Sequence, residues 1–443
     1  MCGVVGIVGT SEAAKETFLG LTTLQHRGQD GAGILTFDED GFHRVKNLGL
    51  VEAVFNRENI STLKGNISLG HTRYSTIGRG DTNDLQPLIL SYPFGIGMVH
   101  NGNVVNYAEL AESLRKEKRR QLLTHSDTEA ILHFFADEIS NAPAARGLGD
   151  LKFDTICKSV DEVCKKVQGS YSIVSVIAGH GLVAFRDPHG IRPLIWGKKK
   201  VLPADSGALP TGEAHMVASE SAALTFLGYE PVRDLKPGEV LSVGFDGKVQ
   251  HRIVKQERTR NCMFEWVYFA SPESEIDGVP VYGARIRLGI SLAKLLKVAL
   301  KKRKIEADLV VPVPETSRIA AIALAEEIGI PYREVLIKNR YIKRTFLLDS
   351  QEKRQKAVGL KLSPVRSEIK GKRVIVVDDS IVRGTTSRKI IELVRQAGAS
   401  KVYFISTCPP IRFPCYYGID FPNRDELIAA DRDAAQIEKE LGA

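Results

Sequence analysis

The sequence predicts a two-part chain: an α+β first half of layered helices and sheets, then an α/β second half on a doubly wound, mostly parallel sheet. Three observations carry this. Short apolar strands such as Val4–Gly9 alternate in the first half with amphipathic helices and Gly-bearing turns, a mixture that layers sheets with helices. In the second half, Asp308–Val313, Thr316–Ile328, Arg373–Val377 and Thr385–Gln396 repeat a strand–helix rhythm typical of βαβ units. A length of 443 residues, 43% hydrophobic and 26% charged, suffices for two cored domains.

Taken in order, Val4–Gly9 reads as a strand buried on both faces, and Ser11–Gln25 as a helix with Phe18, Leu21 and Leu24 on one face. Ser126 and Glu129 form a capping-box pattern ahead of Ile131, Leu132, Phe134 and Phe135, which places Asp127 in a first helical turn. Further strands are expected at Tyr171–Ala178, Gly181–Phe185 and Glu239–Val243. The polar stretch His251–Arg260 marks the boundary, giving domains 2–250 and 251–443. Beyond it come a basic amphipathic helix near Ser291–Lys304, the strands and helices named above, Gly398 as a helix stop, and a last strand at Val402–Ser406.

Charge and cysteine content narrow the function. The formal net charge of +8 points to an anionic partner: nucleic acid, a membrane surface or a phosphorylated small molecule. No apolar run reaches the ~18 residues of a membrane helix, and no secretory leader is evident, so a soluble, cytoplasmic protein is expected. Six cysteines without a Cys-x-x-Cys pair build neither a disulfide scaffold nor a zinc site; Cys157, Cys164, Cys408 and Cys415 are expected as buried thiols.

Two segments carry chemistry. In Val376–Ser387, adjacent carboxylates Asp378 and Asp379 end a buried strand, and a loop rich in Gly and hydroxyls opens a helix. Strand ends are where open α/β sheets bind ligands, and a helix start is an anion cradle. Acids beside such a cradle suit a sugar phosphate, whose hydroxyls the carboxylates accept. The pattern is not an ATP-type P-loop. At the other end, Met1-Cys2-Gly3 permits removal of Met1, which leaves Cys2 a thiol beside a free α-amine of pKa ~7.7–8.0. One residue then supplies nucleophile and base.

Val376–Ser387 closely resembles the phosphoribosyl pyrophosphate (PRPP) motif of type I phosphoribosyltransferases. That resemblance implies that Asp378 and Asp379 hold the ribose hydroxyls, directly or through Mg²⁺. Gly384, Thr385, Thr386 and Ser387 would hold the 5-phosphate, and Ser317 lies near the metal and pyrophosphate. Lys338–Lys356 resembles the mobile loop that closes over the substrate. His26–Gly33, Gly70–Thr76, His100–Asn103 and Ser126–Glu129 resemble class II glutamine amidotransferase motifs on an Ntn-hydrolase fold. There Cys2 is implied as nucleophile, the Asn101 side chain and Gly102 N–H as the oxyanion hole, Arg73 as partner of the glutamine carboxylate and Asp127 as partner of its ammonium. His26, His71 and His100 read as scaffolding.

The two modules in this order resemble the amidophosphoribosyltransferase family, in which glutamine-derived ammonia displaces pyrophosphate from PRPP to open purine synthesis. The late Ile411–Asp420 and the joining Cys262–Pro272 share the resemblance. It implies Mg²⁺, purine nucleotides as feedback inhibitors and a homo-oligomer (dimer or tetramer), with neither nucleic acid nor membrane as partner. Some members carry a cleaved propeptide, which is not expected here because Cys2 follows Met1. Some hold a [4Fe–4S] cluster on four cysteines. Cys262 and Cys415 match two of those positions and the late Cys-x-x-Cys is absent, so no cluster is expected. A PRPP-sensing DNA regulator would not explain Cys2 and its motifs; a plain glutaminase or sugar-phosphate transamidase would not explain Asp378–Ser387.

Overall fold

Strand β1 (Gly3–Val8) is buried along its whole length because it runs through the middle of a sheet that is covered on both faces. It is the first element of a computed structural model that describes residues 2–74, 81–141, 151–202, 205–303, 305–338, 362–421 and 423–443. The chain forms two compact units. The first takes Met1–Met263, Phe269–Pro280 and Tyr416–Asp420; the second takes Phe264–Tyr268, Val281–Cys415 and Phe421–Ala443.

In the first unit, β1 pairs antiparallel with β4 (Ile67–Arg73) on one side and with the strand Glu213–Ala218 on the other, within a seven-stranded sheet. A second, six-stranded sheet includes β6 (Ile96–Val104) and β7 (Gly169–Ile177), also antiparallel. Val4, Val8, Leu35 and Leu69 of the first sheet pack on Val99, Val174, Val176 and Leu182 of the second. The outer face of the first sheet is covered by the helix Ala13–Thr23, through Leu21. That of the second is covered by the helices Asp127–Ser140 and Phe153–Lys166, through Phe135, Ile139, Ile156 and Val160. The result is the helix–sheet–sheet–helix layering that the mixed pattern predicts. Each pair of layers removes a continuous apolar surface from water at about 25 cal/mol per Å².

In the second unit, Leu309–Pro312, Arg373–Asp378 and Lys401–Ser406 lie side by side and parallel, as the βαβ rhythm predicts. Ile390, Ile391 and Val394 of the helix Thr385–Gln396 cover one face. Ala293, Ala321 and Leu324, from the helices Val281–Arg303 and Arg318–Ile328, cover the other. Helices on both faces explain why these strands read as unbroken apolar runs.

Two local expectations differ from what is observed. The basic helix starts at Val281, ten residues before Ser291. Its buried face runs through Val281, Arg285, Gly289 and Ala293 at four-residue spacing, and an arginine and a glycine carry no apolar period. The capping box at Ser126 does not form, for the Ser126 side chain makes no cap bond. The Glu129 carboxylate instead accepts from the Leu123 and Thr124 N–H groups and the Thr124 hydroxyl, at 2.6–2.8 Å. Three donors in the preceding turn outcompete the single backbone N–H that a capping box would offer it.

Candidate active sites

Cys2 stands at the head of β1, half-buried, with its thiol 3.9 Å from the Tyr74 carbonyl. Its nitrogen donates to Asn101 Oδ1 at 3.2 Å, and its carbonyl accepts from Arg27 Nε at 3.0 Å. Asn101 and Gly102 reach it because β6 carries His100, Asn101 and Gly102 in register with Ile173, Ser172 and Tyr171 of β7. With Oδ1 turned to Cys2, Asn101 Nδ2 is left buried and without a hydrogen-bond partner. A buried donor left bare costs about 1–3 kcal/mol, and this one belongs to the side chain that meets Cys2.

Gly102 is required by close approach. A Cβ there would stand 1.9 Å from the Ser170 carbonyl and 2.6 Å from His100 Nε2. Gly102→Ala is expected to push β6 off β7, lowering stability by about 1–3 kcal/mol. Moving its N–H and the adjoining Asn101 amide should cut glutamine-dependent turnover by about 10²-fold or more. Thermal melting and steady-state kinetics on the same preparation check both effects.

Asp127 opens the helix Asp127–Ser140 and is buried. One carboxylate oxygen accepts the Val104 N–H at 3.0 Å, and the other lies 3.4 Å from His100 Nδ1. Burial pushes its pKa up, but His100 outweighs burial and the net shift is downward. His100 shows the converse: burial lowers its pKa, Asp127 raises it, and the net shift is upward. The pair therefore favours a charged Asp127. His71, fully buried and disfavoured further by Arg73 and His100, falls to about 3 and stays neutral. Arg73 ends β4, buried, with Nη1 3.5 Å from the Asp81 carbonyl. Ser75 and Thr76 of the same motif lie outside the described residues.

In the second unit, Asp378 ends the central strand and Asp379 follows, both buried. Asp379 N–H donates to Asp378 Oδ1 at 2.9 Å, and the Ser380 hydroxyl to Asp379 Oδ1 at 2.7 Å. The Thr316 hydroxyl donates to Asp379 Oδ2. Burial, then the Asp379 charge, drives Asp378 well above the ordinary carboxylate range. Asp379 is raised by burial and partly relieved by Thr316, Ser380 and the Arg285 cation. Two carboxyls that cannot both ionise at ease, at the end of a parallel strand, are poised for a cation or a polyol. Gly384 precedes the helix Thr385–Gln396 with φ +74°, and a Cβ there would meet Ile428 Cδ1 at 2.5 Å. Thr385 and Thr386 are exposed at the helix start and Ser387 is buried, so the first turn offers open N–H groups and hydroxyls to a phosphate.

Some expected residues are not brought together. The Ser317 hydroxyl donates back to the Val313 carbonyl, and its neighbour Thr316 reaches Asp379 instead. Of Lys338–Lys356, all but Lys338 lies outside the described residues. Cys415, expected as a buried thiol, is half-buried, whereas Cys157, Cys164 and Cys408 are buried. Among the described residues, no group of three or more His, Cys, Asp and Glu side chains could hold a metal ion. No helix among them is long and apolar enough to cross a membrane.

Residues 71–224 match the glutamine amidotransferase domain model, and residues 287–412 match the phosphoribosyl transferase domain model. The amidophosphoribosyltransferases of Haemophilus influenzae and Escherichia coli are 44% and 43% identical over all of this chain and 86% of theirs. This chain belongs to the amidophosphoribosyltransferase family. The solved glutamine PRPP amidotransferase from B. subtilis, complexed with ADP and GMP, superposes with a TM-score of 0.84 at 38% identity, over 100% of this chain and 89% of that one. The allosteric regulatory enzyme of purine biosynthesis superposes equally well, at 37% identity. Amidophosphoribosyltransferases thus share both the layered first unit and the parallel second unit seen here.

Sequence reasoning left out several neighbours of these sites. Thr316 sits beside a residue that was singled out, and a hydroxyl in a polar turn gives no separate signal. Arg285, whose charge favours ionised Asp379, is buried and donates to the Trp266 and Tyr268 carbonyls. It lies outside the Ser291–Lys304 span expected as the basic helix, so the sequence reading gives no sign of it. Tyr416–Asp420 packs within the first unit, where the Tyr416 carbonyl accepts from Asn103 Nδ2 at 2.8 Å and the Tyr417 carbonyl from the Ser170 hydroxyl at 3.0 Å.

Proposed function

We propose that this chain hydrolyses glutamine at Cys2 and uses the ammonia on PRPP, giving 5-phosphoribosylamine, pyrophosphate and glutamate. This is the first step of purine synthesis. The reading rests above all on the bare Asn101 amide nitrogen, fixed by the same side chain whose oxygen meets the nitrogen of Cys2. After Met1 is removed, that nitrogen is an amine able to take the thiol proton. The thiolate attacks the glutamine carboxamide carbon, Asn101 Nδ2 with the Gly102 N–H receives the oxyanion, and its collapse to the thioester breaks the C–N bond and expels ammonia, which takes the proton held on the Cys2 amine. Arg73 orients the substrate carboxylate and Asp127 its ammonium. Water then cleaves the thioester to glutamate.

At the second site Asp378 and Asp379 hold the ribose hydroxyls, while Gly384, Thr385, Thr386 and Ser387 hold the 5-phosphate. Mg²⁺ fits this donor set, since two crowded carboxylates bind it together with substrate phosphates. Asp378 and Asp379 would hold it, and when bound it would neutralise charge building on the leaving pyrophosphate; Ser317, expected beside it, has its hydroxyl on the Val313 carbonyl. The glutaminase task falls to residues 2–250 and the transferase task to 251–443. The cytoplasmic enzyme is a homo-oligomer, dimer or tetramer, inhibited by purine nucleotides, with neither nucleic acid nor membrane as partner. The test is direct: glutamine labelled with ¹⁵N at the amide, PRPP and Mg²⁺ should yield labelled phosphoribosylamine and one pyrophosphate per glutamate. Glutamate without pyrophosphate would overturn the reading.

The crowded aspartates also fix a pH effect. Because both pKa values are raised in the folded state, protonated carboxyl favours the empty site, and stability falls as pH rises through them. A cation expels that proton. Mg²⁺ binding should therefore tighten with rising pH and release protons, measured by calorimetry in two buffers of different ionisation enthalpy.

A further inference from the structure

Glu220 follows the strand Glu213–Ala218 and is fully buried, where a carboxylate has to be compensated by donors. It is compensated four times. Oε1 accepts from Arg27 Nη1 at 2.6 Å and lies 2.8 Å from His26 Nε2. Oε2 accepts from the Ser271 N–H at 2.9 Å and the Ser274 hydroxyl at 2.8 Å. Burial alone would raise its pKa; the Arg27 charge and the His26 ring outweigh burial and lower it to about 2, so Glu220 is ionised at any working pH.

The Arg27 guanidinium, equally buried, is planar and rigid. Nη1 meets Glu220, and Nε of the same plane donates to the Cys2 carbonyl at 3.0 Å. The ladder between β1 and β4 begins only at Gly3, paired with Thr72. Cys2 therefore lies beyond the ladder and takes its orientation from side chains: Arg27 on its carbonyl and Asn101 on its nitrogen. Rotating the Cys2 carbonyl turns the thiol and the nitrogen with it.

We propose that Glu220 is a positioning residue for the amino-terminal nucleophile, acting through Arg27 on the Cys2 carbonyl. This rests on the reading of Cys2 as nucleophile. Glu220 touches neither substrate, and its effect falls on the step in which Cys2 attacks rather than on glutamine binding.

Glu220→Gln keeps the shape and removes the charge. It should lower the glutamine-dependent kcat about 10²-fold, as a small misplacement of a reacting group does. The KM for glutamine and the ammonia-dependent turnover should stay within about threefold. A role through Arg27 also predicts non-additivity: in an Arg27→Met background, Glu220→Gln should cost less than about threefold more. Glu220→Asp, which keeps the charge but withdraws it by one methylene, should lose about tenfold in kcat and serves as the second variant. An unchanged kcat in Glu220→Asp and Glu220→Gln, additive losses with Arg27→Met, or parallel loss of ammonia-dependent turnover would each overturn the proposal. Cys2→Ala separates the two readings: if it keeps glutamine use, the nucleophile reading fails; if it loses glutamine use while Glu220→Gln keeps it, only this proposal fails.

Discussion

Cys2→Ala is expected to lower glutamine-dependent pyrophosphate release by at least about 10³-fold, because it removes the thiol proposed to form the thioester. Ammonia-dependent release should stay within about twofold. The asymmetry follows from the two-unit architecture. Cys2 sits at the head of β1 in the first unit, whereas Asp378, Asp379 and the helix start at Thr385 belong to the second, with its own core. Replacing a half-buried thiol by a methyl leaves both cores and the Asn101 contact to the backbone nitrogen in place. The measurement is pyrophosphate release with glutamine and with ammonium chloride at matched PRPP. Full glutamine-dependent turnover in this variant would falsify the mechanism.

Asp378→Asn combined with Asp379→Asn should behave differently, losing glutamine-dependent and ammonia-dependent turnover together by about 10²-fold or more. In the proposed reaction both routes use the same ribose and cation contacts of this pair. The folded protein should not suffer: the two amides relieve the mutual repulsion and burial that raise both carboxyl pKa values. A melting temperature equal to or above that of the parent, together with lost turnover, is therefore the expected signature. Retained ammonia-dependent turnover would mean that the ribose is held elsewhere.

Much of this was readable without coordinates, and the reasons are local. Strands buried on both faces are written as apolar runs, so Val4–Val8 and Val374–Val377 declare themselves. The carboxylate pair, the loop and the helix at Val376–Ser387 are contiguous, so one segment carries the ribose and phosphate ends of a site. The glutaminase motifs are each short and intact. What stayed hidden depends on long-range partners. Glu129 has the spacing of a capping box and makes a different set of bonds, because Leu123 and Thr124 turn their donors to it. Arg285 lies ahead of the basic helix expected near Ser291–Lys304; the observed helix starts at Val281 and buries it where its charge acts on Asp379.

The sequence by itself determined the raw materials of the proposed reaction: a candidate nucleophile next to the amino terminus, a Gly- and hydroxyl-rich helix start after a buried strand, and a basic excess suited to a phosphorylated sugar. Only the tertiary structure decided their setting. It brought Asn101 to Cys2 across 99 residues, set Glu220 on Arg27 across 193, and returned Tyr416–Asp420 to the first unit. The physical reason is one of range. Periodicity and motif spacing report on neighbours along the chain, whereas a buried donor finds its acceptor wherever packing brings one within hydrogen-bond reach.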